Sequence, residues 1–222
     1  MNLTDLLFWN VDTQTDFISP DGKLYVQDSE LLKPKWEKIT QLAKANSIRV
    51  VNTADYHYPN SVELSSNPNF INTFPPHCMA NTKGAEFITE TKPENPIIFN
   101  WNKNHKNDTE LLNAITNRNI IIRKDAFDVF KGNQLTESIL KLLSPKIVVV
   151  YGVTTNVCVN DAIVGLSGKV DKVYVIEDAI KELPNIPLPF DNWKKLGVKI
   201  IQLINLVDML ETATDTDNRN FV

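Results

Sequence analysis

Cysteine, histidine and long apolar runs are all scarce in this chain, and each scarcity excludes something. Only Cys78 and Cys158 stand among 222 residues. Two thiols do not make a disulfide framework, so a reducing, cytoplasmic setting is expected. No apolar run approaches the roughly 18 residues of a membrane span. The opening Met1-Asn2-Leu3-Thr4-Asp5 lacks the basic and apolar blocks of a secretory signal. Basic clusters are missing too. Lys and Arg are scattered and the formal net charge is -4, so neither a nucleic-acid nor an anionic-membrane partner is expected. Repeats, low-complexity tracts and linkers are likewise absent, which points to a single domain over 1–222. Homo-oligomerisation is left open. There are three histidines, so any imidazole chemistry must come from His57, His77 or His105.

What the chain does have is a series of short apolar runs rich in Val and Ile. They are Leu6–Val11, Ile48–Asn52, Ile120–Ile122, Ile147–Val153, Val173–Ile176 and Val198–Ile201. Such runs read as strands buried on both faces, the habit of parallel sheets. Between them, Leu31–Ala45, Thr109–Thr116, Leu135–Leu143 and Asn156–Leu166 have helical spacing. Alternation of this kind predicts an α/β domain, three layers deep, with a central, mainly parallel sheet. One region breaks the rhythm. From about 55 to 107 the chain is rich in Pro, Asn and Thr, with one brief strand candidate at Pro96–Phe99. Long irregular insertions in compact domains usually carry function. The polar tail after Thr212 is expected to fray.

Open α/β sheets place their sites at the carboxyl ends of strands. Asp12 follows the first run, Asp55 and His57 the second, Lys124 the third, and Thr154–Cys158 the fourth. An acid, an acid with an imidazole, an amine and a thiol therefore converge on one edge. Cys158 should lie in the first turn of a helix capped by Thr154, Thr155 or Asn156, where backbone N–H groups and the helix dipole favour a thiolate and can hold an oxyanion. A lone cysteine is more often a small core residue; position and neighbours reverse those odds here. A thiol nucleophile needs a proton acceptor. Asp12 is the candidate, with Lys124 balancing charge, because two histidines have another use. Asp55-x-His57 points a carboxylate and an imidazole the same way in extended chain. With His77 they make a first shell for zinc, or for iron or manganese, and Glu63 is a candidate fourth ligand, directly or through water. His105 has no partner pattern and reads as a surface loop residue.

Five segments taken in order resemble one family. They are Asp12-Thr-Gln14-Thr-Asp-Phe17, Thr53-Ala-Asp55-Tyr-His57-Tyr-Pro59, Phe74-Pro-Pro-His77-Cys-Met-Ala-Asn-Thr-Lys-Gly84, Arg123-Lys124-Asp-Ala-Phe127-Asp-Val-Phe130-Lys-Gly132, and Gly152-Val-Thr-Thr-Asn-Val-Cys158-Val. The chain is similar to the nicotinamidase branch of the isochorismatase-like cysteine hydrolases. It departs from the branch in Phe74 where Trp is usual, Glu63 where His is common, Asn81 for glycine, Phe127 for Tyr, and Val157 before the nucleophile.

The resemblance implies the α/β fold and an Asp12–Lys124–Cys158 triad. It implies a cis peptide between Val153 and Thr154, with the amides of Thr154 and Cys158 as the oxyanion hole. It also implies a divalent metal that binds the pyridine nitrogen of nicotinamide, the amide converted to nicotinate and ammonia. Phe17 and Phe74, with Phe127 and Val157, would wall the substrate pocket. Two other readings share these residues: a hydrolase of another small amide, and a catalytically silent α/β binding protein.

Overall fold

A computed structural model describes residues 2–103, 111–112 and 116–219, with side chains to residue 213. Seven strands form one sheet: β1 (Leu6–Val11), β2 (Arg49–Asp55), β3 (Ile97–Phe99), β4 (Asn119–Lys124), β5 (Ile147–Val153), β6 (Lys172–Lys181) and β7 (Lys199–Ile201). All six neighbouring pairs are parallel, in the order β3-β4-β2-β1-β5-β6-β7. Each predicted run is a strand. The second and third runs extend further than their apolar cores, so Asp55 and Lys124 are themselves the last residues of β2 and β4.

Helices cover both faces, giving the expected three layers. They are α1 (Thr15–Ile18), α2 (Lys33–Ala45), α3 (Val129–Gly132), α4 (Thr136–Leu143), α5 (Cys158–Leu166), α6 (Phe190–Lys195) and α7 (Leu203–Arg219). Side chains alternate along β1. Leu7, Trp9 and Val11 join the core under α4, α5 and α6, while Leu6 and Phe8 join the core under α2 and α7. Two apolar cores on one strand explain why it shows no polar alternation. In α2 the predicted apolar face is buried at Trp36, Ile39 and Ala43, whereas Leu31 lies before the helix and is exposed. The helix expected at Thr109–Thr116 falls mainly, and His105 wholly, outside the described residues. α7 continues from Leu203 into the polar tail, to Arg219. Among the described residues no helix is long and apolar enough to cross a membrane.

The chain passes from β1 to β2, β3 and β4 on one side, then crosses to β5, β6 and β7 on the other. The order reverses at β1, where a crevice opens beyond the carboxyl ends of the strands. Gly152 allows the closest approach there. Its φ is 120°, and a Cβ on it would lie 2.0 Å from the Val11 carbonyl oxygen, so no other residue fits between the ends of β1 and β5.

Candidate active site

Register brings the charged strand ends together. Asp55 pairs directly with Lys124 across β2 and β4, and Val11 pairs with Thr53 and Gly152. Asp12, just past β1 in left-handed backbone (φ 49°), accepts a hydrogen bond from Thr53 Oγ1 at 2.6 Å. Lys124 Nζ lies 3.0 Å from Asp12 Oδ2, hydrogen-bonds Asp55 Oδ1, and is 3.8 Å from Cys158 Sγ. The contact with Asp12 is an ion pair outside hydrogen-bond geometry, since Oδ2 accepts no hydrogen bond. Donor atoms of Asp12, Asp55 and Cys158 all lie within 4.8 Å of one another. The predicted acid, amine and thiol thus meet at one point, and all are buried.

The electrostatics follow from that burial. Burial alone would depress the Lys124 ammonium, but the Asp12 and Asp55 carboxylates outweigh it and hold it well above the ordinary lysine range. Burial raises Asp12, and Lys124 offsets only part of the rise. For Asp55 the balance reverses: burial is outweighed by Lys124 and by the neighbouring His57 and His77 rings, and the carboxyl sits well below its usual range. Removing the ammonium would leave two carboxylates buried and uncompensated, at a cost of about 3–5 kcal/mol.

Cys158 is the first residue of α5, as expected, and its thiol is buried among charged groups. Burial pushes it well above the ordinary cysteine value, helped by Asp12, Asp55 and Glu63 and opposed by Lys124. The pull of the helix start and of Lys124 is thus opposed by desolvation and three carboxylates. The cap expectation fails. Val157 occupies the N-cap position without a side-chain hydrogen bond. Asn156 instead pins the loop after β6, donating to Leu183 O and Ile186 O and accepting from Leu183 N. The Val153–Thr154 peptide is cis. Nearby amides are taken: Thr155 N–H donates to Lys181 O, and Val157 and Val159 N–H donate to Thr154 O. Those of Thr154 and Cys158 donate no backbone hydrogen bond among the described residues.

The second cluster shares Asp55. Its Oδ2 lies 3.8 Å from His57 Nε2 and 3.6 Å from His77 Nε2, and the three donors lie within 4.8 Å of one another. Each imidazole is oriented through its other nitrogen: His57 Nδ1 meets Asp125 Oδ1 at 2.7 Å, and His77 Nδ1 donates to Pro75 O at 2.8 Å. This leaves both Nε2 atoms facing inward, the arrangement of metal-ligating histidines. Buried His57 Nε2 has no hydrogen-bond partner. A carboxylate and two imidazoles with an orphaned, inward-facing nitrogen fit a divalent transition metal. Glu63 is close, with Oε2 3.7 Å from His57 Nε2 and without a hydrogen bond, but it is not one of the three mutually close ligands. Burial, then the charge of Asp55, raises its carboxyl to about 7. For His57, burial is outweighed by Asp55, Asp125 and Glu63, which carry the ring to about 9.

Between the clusters lies a small cavity that opens to solvent. Phe17, Phe74, Phe127, Val153 and Val157 line it, and Asp55, His77, Thr154 and Cys158 supply its polar atoms. Phe74 packs edge-on against Phe127 with ring centroids 5.5 Å apart. Sequence reasoning missed Leu24, Val26 and Leu183, which complete the wall from loops with no polar signal. It also missed the residues that hold the ligands. Gln14 clamps β1 to β2 through Asp55 N and O, and Asp16 Oδ2 accepts from Cys78 N beside His77. Asp125 is further fixed by Ser61 Oγ at 2.5 Å. Gln14 and Asp16 sit inside the first motif and Asp125 follows Lys124, so adjacency was the available signal.

Residues 100–186 match the model of the isochorismatase domain. This segment carries Lys124, Thr154 and Cys158. The fold is similar to pyrazinamidase of Pyrococcus horikoshii in complex with zinc (26% identity, TM-score 0.67, 89% of this chain and 99% of that one). It is also similar to nicotinamidase from Bacillus subtilis (18%, TM-score 0.68, 89% and 99%). N-carbamoylsarcosine amidase from Thermoplasma acidophilum matches as well (19%, TM-score 0.67, 91% and 97%). Comparison with curated proteins gives no match. The fold is isochorismatase-like, and nicotinamidases and pyrazinamidases are among its structural neighbours.

Proposed function

We propose that this chain, isochorismatase-like in residues 100–186 and in its fold, is a single-domain cysteine amidohydrolase that converts nicotinamide to nicotinate and ammonia in the cytoplasm. The observation that carries the reading is the sharing of Asp55. One oxygen pairs with Lys124 beside Cys158, and the other faces His57 and His77. An acyl-transfer site and a metal site thus border one small apolar cavity. Among the described residues no Lys or Arg lines that cavity, which suits a neutral aromatic amide better than an anionic one.

In this reading Cys158 Sγ attacks the carboxamide carbon while its proton passes to Asp12. The carbonyl π pair moves onto oxygen, where the N–H groups of Thr154 and Cys158 receive it; losing one such donor typically costs about 10²–10³ in rate. Lys124 keeps Asp12 ionised before the transfer and balances the site during it. Collapse breaks the C–N bond, and Asp12 returns the proton to nitrogen, releasing ammonia and leaving a thioester. Water then gives a proton to Asp12 as its oxygen attacks the thioester. The expelled sulfur takes that proton back, and the product leaves as nicotinic acid, which gives its remaining proton to solvent or to ammonia and becomes nicotinate. Phe17, Phe74, Phe127 and Val157 hold the ring flat and keep bulk water out. Asp55, His57 and His77, with Glu63 beside them, would hold a divalent ion, zinc by preference, which supplies a Lewis-acid anchor for the neutral ring nitrogen.

The direct test is ammonia release from nicotinamide by zinc-loaded protein. Release from other primary amides alone would favour the broader small-amide reading. Inertness toward all amides, with Cys158 unmodified, would favour a binding protein.

A further inference from the structure

A primary carboxamide brings two N–H donors and one carbonyl acceptor into a site, and an enclosed cavity must satisfy all three. The proposed oxyanion amides serve the carbonyl. The Asp12 carboxylate, within 4.8 Å of Cys158 Sγ and with Oδ2 free of hydrogen bonds, can accept from one N–H. The second N–H needs another acceptor. Among the residues that line the cavity, Asp55 and His77 face each other at the metal cluster, and Cys158 is the reacting group. Among the described residues Thr154 is the one remaining polar side chain lining it. It is 5% exposed, and its Oγ1 is buried with no hydrogen-bond partner. An orphaned buried hydroxyl is costly unless something fills its need.

We infer that the Thr154 hydroxyl is a specificity-determining group: it accepts the second N–H of the substrate carboxamide and so selects primary amides over esters of the same acid. This rests on the amidohydrolase reading above and adds a role that the Thr154 backbone does not have. The Thr155 hydroxyl is also unpartnered, but Thr155 does not line the cavity.

The test compares nicotinamide with methyl nicotinate, which has the same ring and carbonyl but no N–H. Thr154→Val keeps the shape and removes the hydroxyl; Thr154→Ser keeps the hydroxyl. Rates are measured on zinc-loaded proteins whose melting temperatures and metal contents have been compared with the parent. The expected result is that Thr154→Val lowers the amide-to-ester ratio of kcat/KM by roughly 10- to 100-fold, and that Thr154→Ser restores it to within about threefold of the parent. A ratio unchanged in Thr154→Val, even with both rates reduced, overturns the inference, because the hydroxyl would then act on shape or on the shared carbonyl. So does a ratio that falls equally in Thr154→Ser. A parent protein inactive on nicotinamide overturns the functional reading itself, and this inference with it; that outcome is visible before any variant is made.

Discussion

The two halves of the site are held in different ways. Asp12, Lys124 and Cys158 sit at or just beyond the ends of β1, β4 and β5. Their spacing is set by backbone ladders, with Asp55 opposite Lys124 and Val11 opposite Gly152. His57, Glu63 and His77 come from the irregular stretch after β2, where backbone pairing is sparse: isolated bridges join His57 to Met79 and Leu64 to Phe74. Here side chains do the positioning. Asp125 and Ser61 fix His57, Pro75 O fixes His77, and Asp16 holds Cys78 beside it. Sheet register is cooperative and insensitive to any one side chain, whereas a loop-borne ligand set depends on a few hydrogen bonds. The strand-end half should therefore tolerate loss of the Cys158 thiol without rearranging, and the loop half should not tolerate loss of its supporting hydrogen bonds.

The sharpest break is Cys158→Ala. Ammonia release should fall by at least about a thousandfold, while melting temperature and bound metal stay at parent levels. Undiminished release would remove Cys158 from the chemistry. A large loss of metal would show that the two halves are not separately held.

The double change His57→Ala/His77→Ala should empty the metal site, read by elemental analysis after dialysis. The parent should prefer nicotinamide over benzamide, which lacks the ring nitrogen, by one to two orders of magnitude, as about 1–3 kcal/mol of lost polar anchoring would give. The double variant should lose this preference. Equal kcat/KM for the two amides in the parent would take the metal out of substrate binding.

Asp125→Asn tests the supporting hydrogen bonds directly. Zinc affinity by chelator competition should weaken by about 10- to 100-fold, with little change in Cys158 alkylation by iodoacetamide. An unchanged affinity would mean that the loop backbone alone orients His57.

The smallest effect concerns pH. Asp12 must be ionised to accept the thiol proton, and burial raises it. The acid limb of kcat/KM should therefore lie above the ordinary aspartate value of about 3.9, with activity lost as pH falls through it. An acid limb at or below that value would reassign the base.

Some of this was legible before any coordinates. Runs of Val and Ile buried on both faces imposed the parallel sheet, and polar residues placed just after them named Asp12, Asp55, Lys124 and Cys158, because strand ends are where such a sheet exposes chemistry. Motif order tied His57, His77 and Glu63 to a metal. Local chemistry misled where burial overrode it. A cysteine at a helix start reads as a thiolate, yet burial and three neighbouring carboxylates push its thiol up, against Lys124. Asn156 reads as a cap, yet it anchors a loop some thirty residues away (to Ile186). Only the tertiary structure could decide that Asp55 serves both clusters, that Leu24, Val26 and Leu183 close the cavity, and that Thr154 leaves a hydroxyl unpaired beside Cys158. Those facts depend on which distant segments share a desolvated volume, and chain order does not encode distance in space.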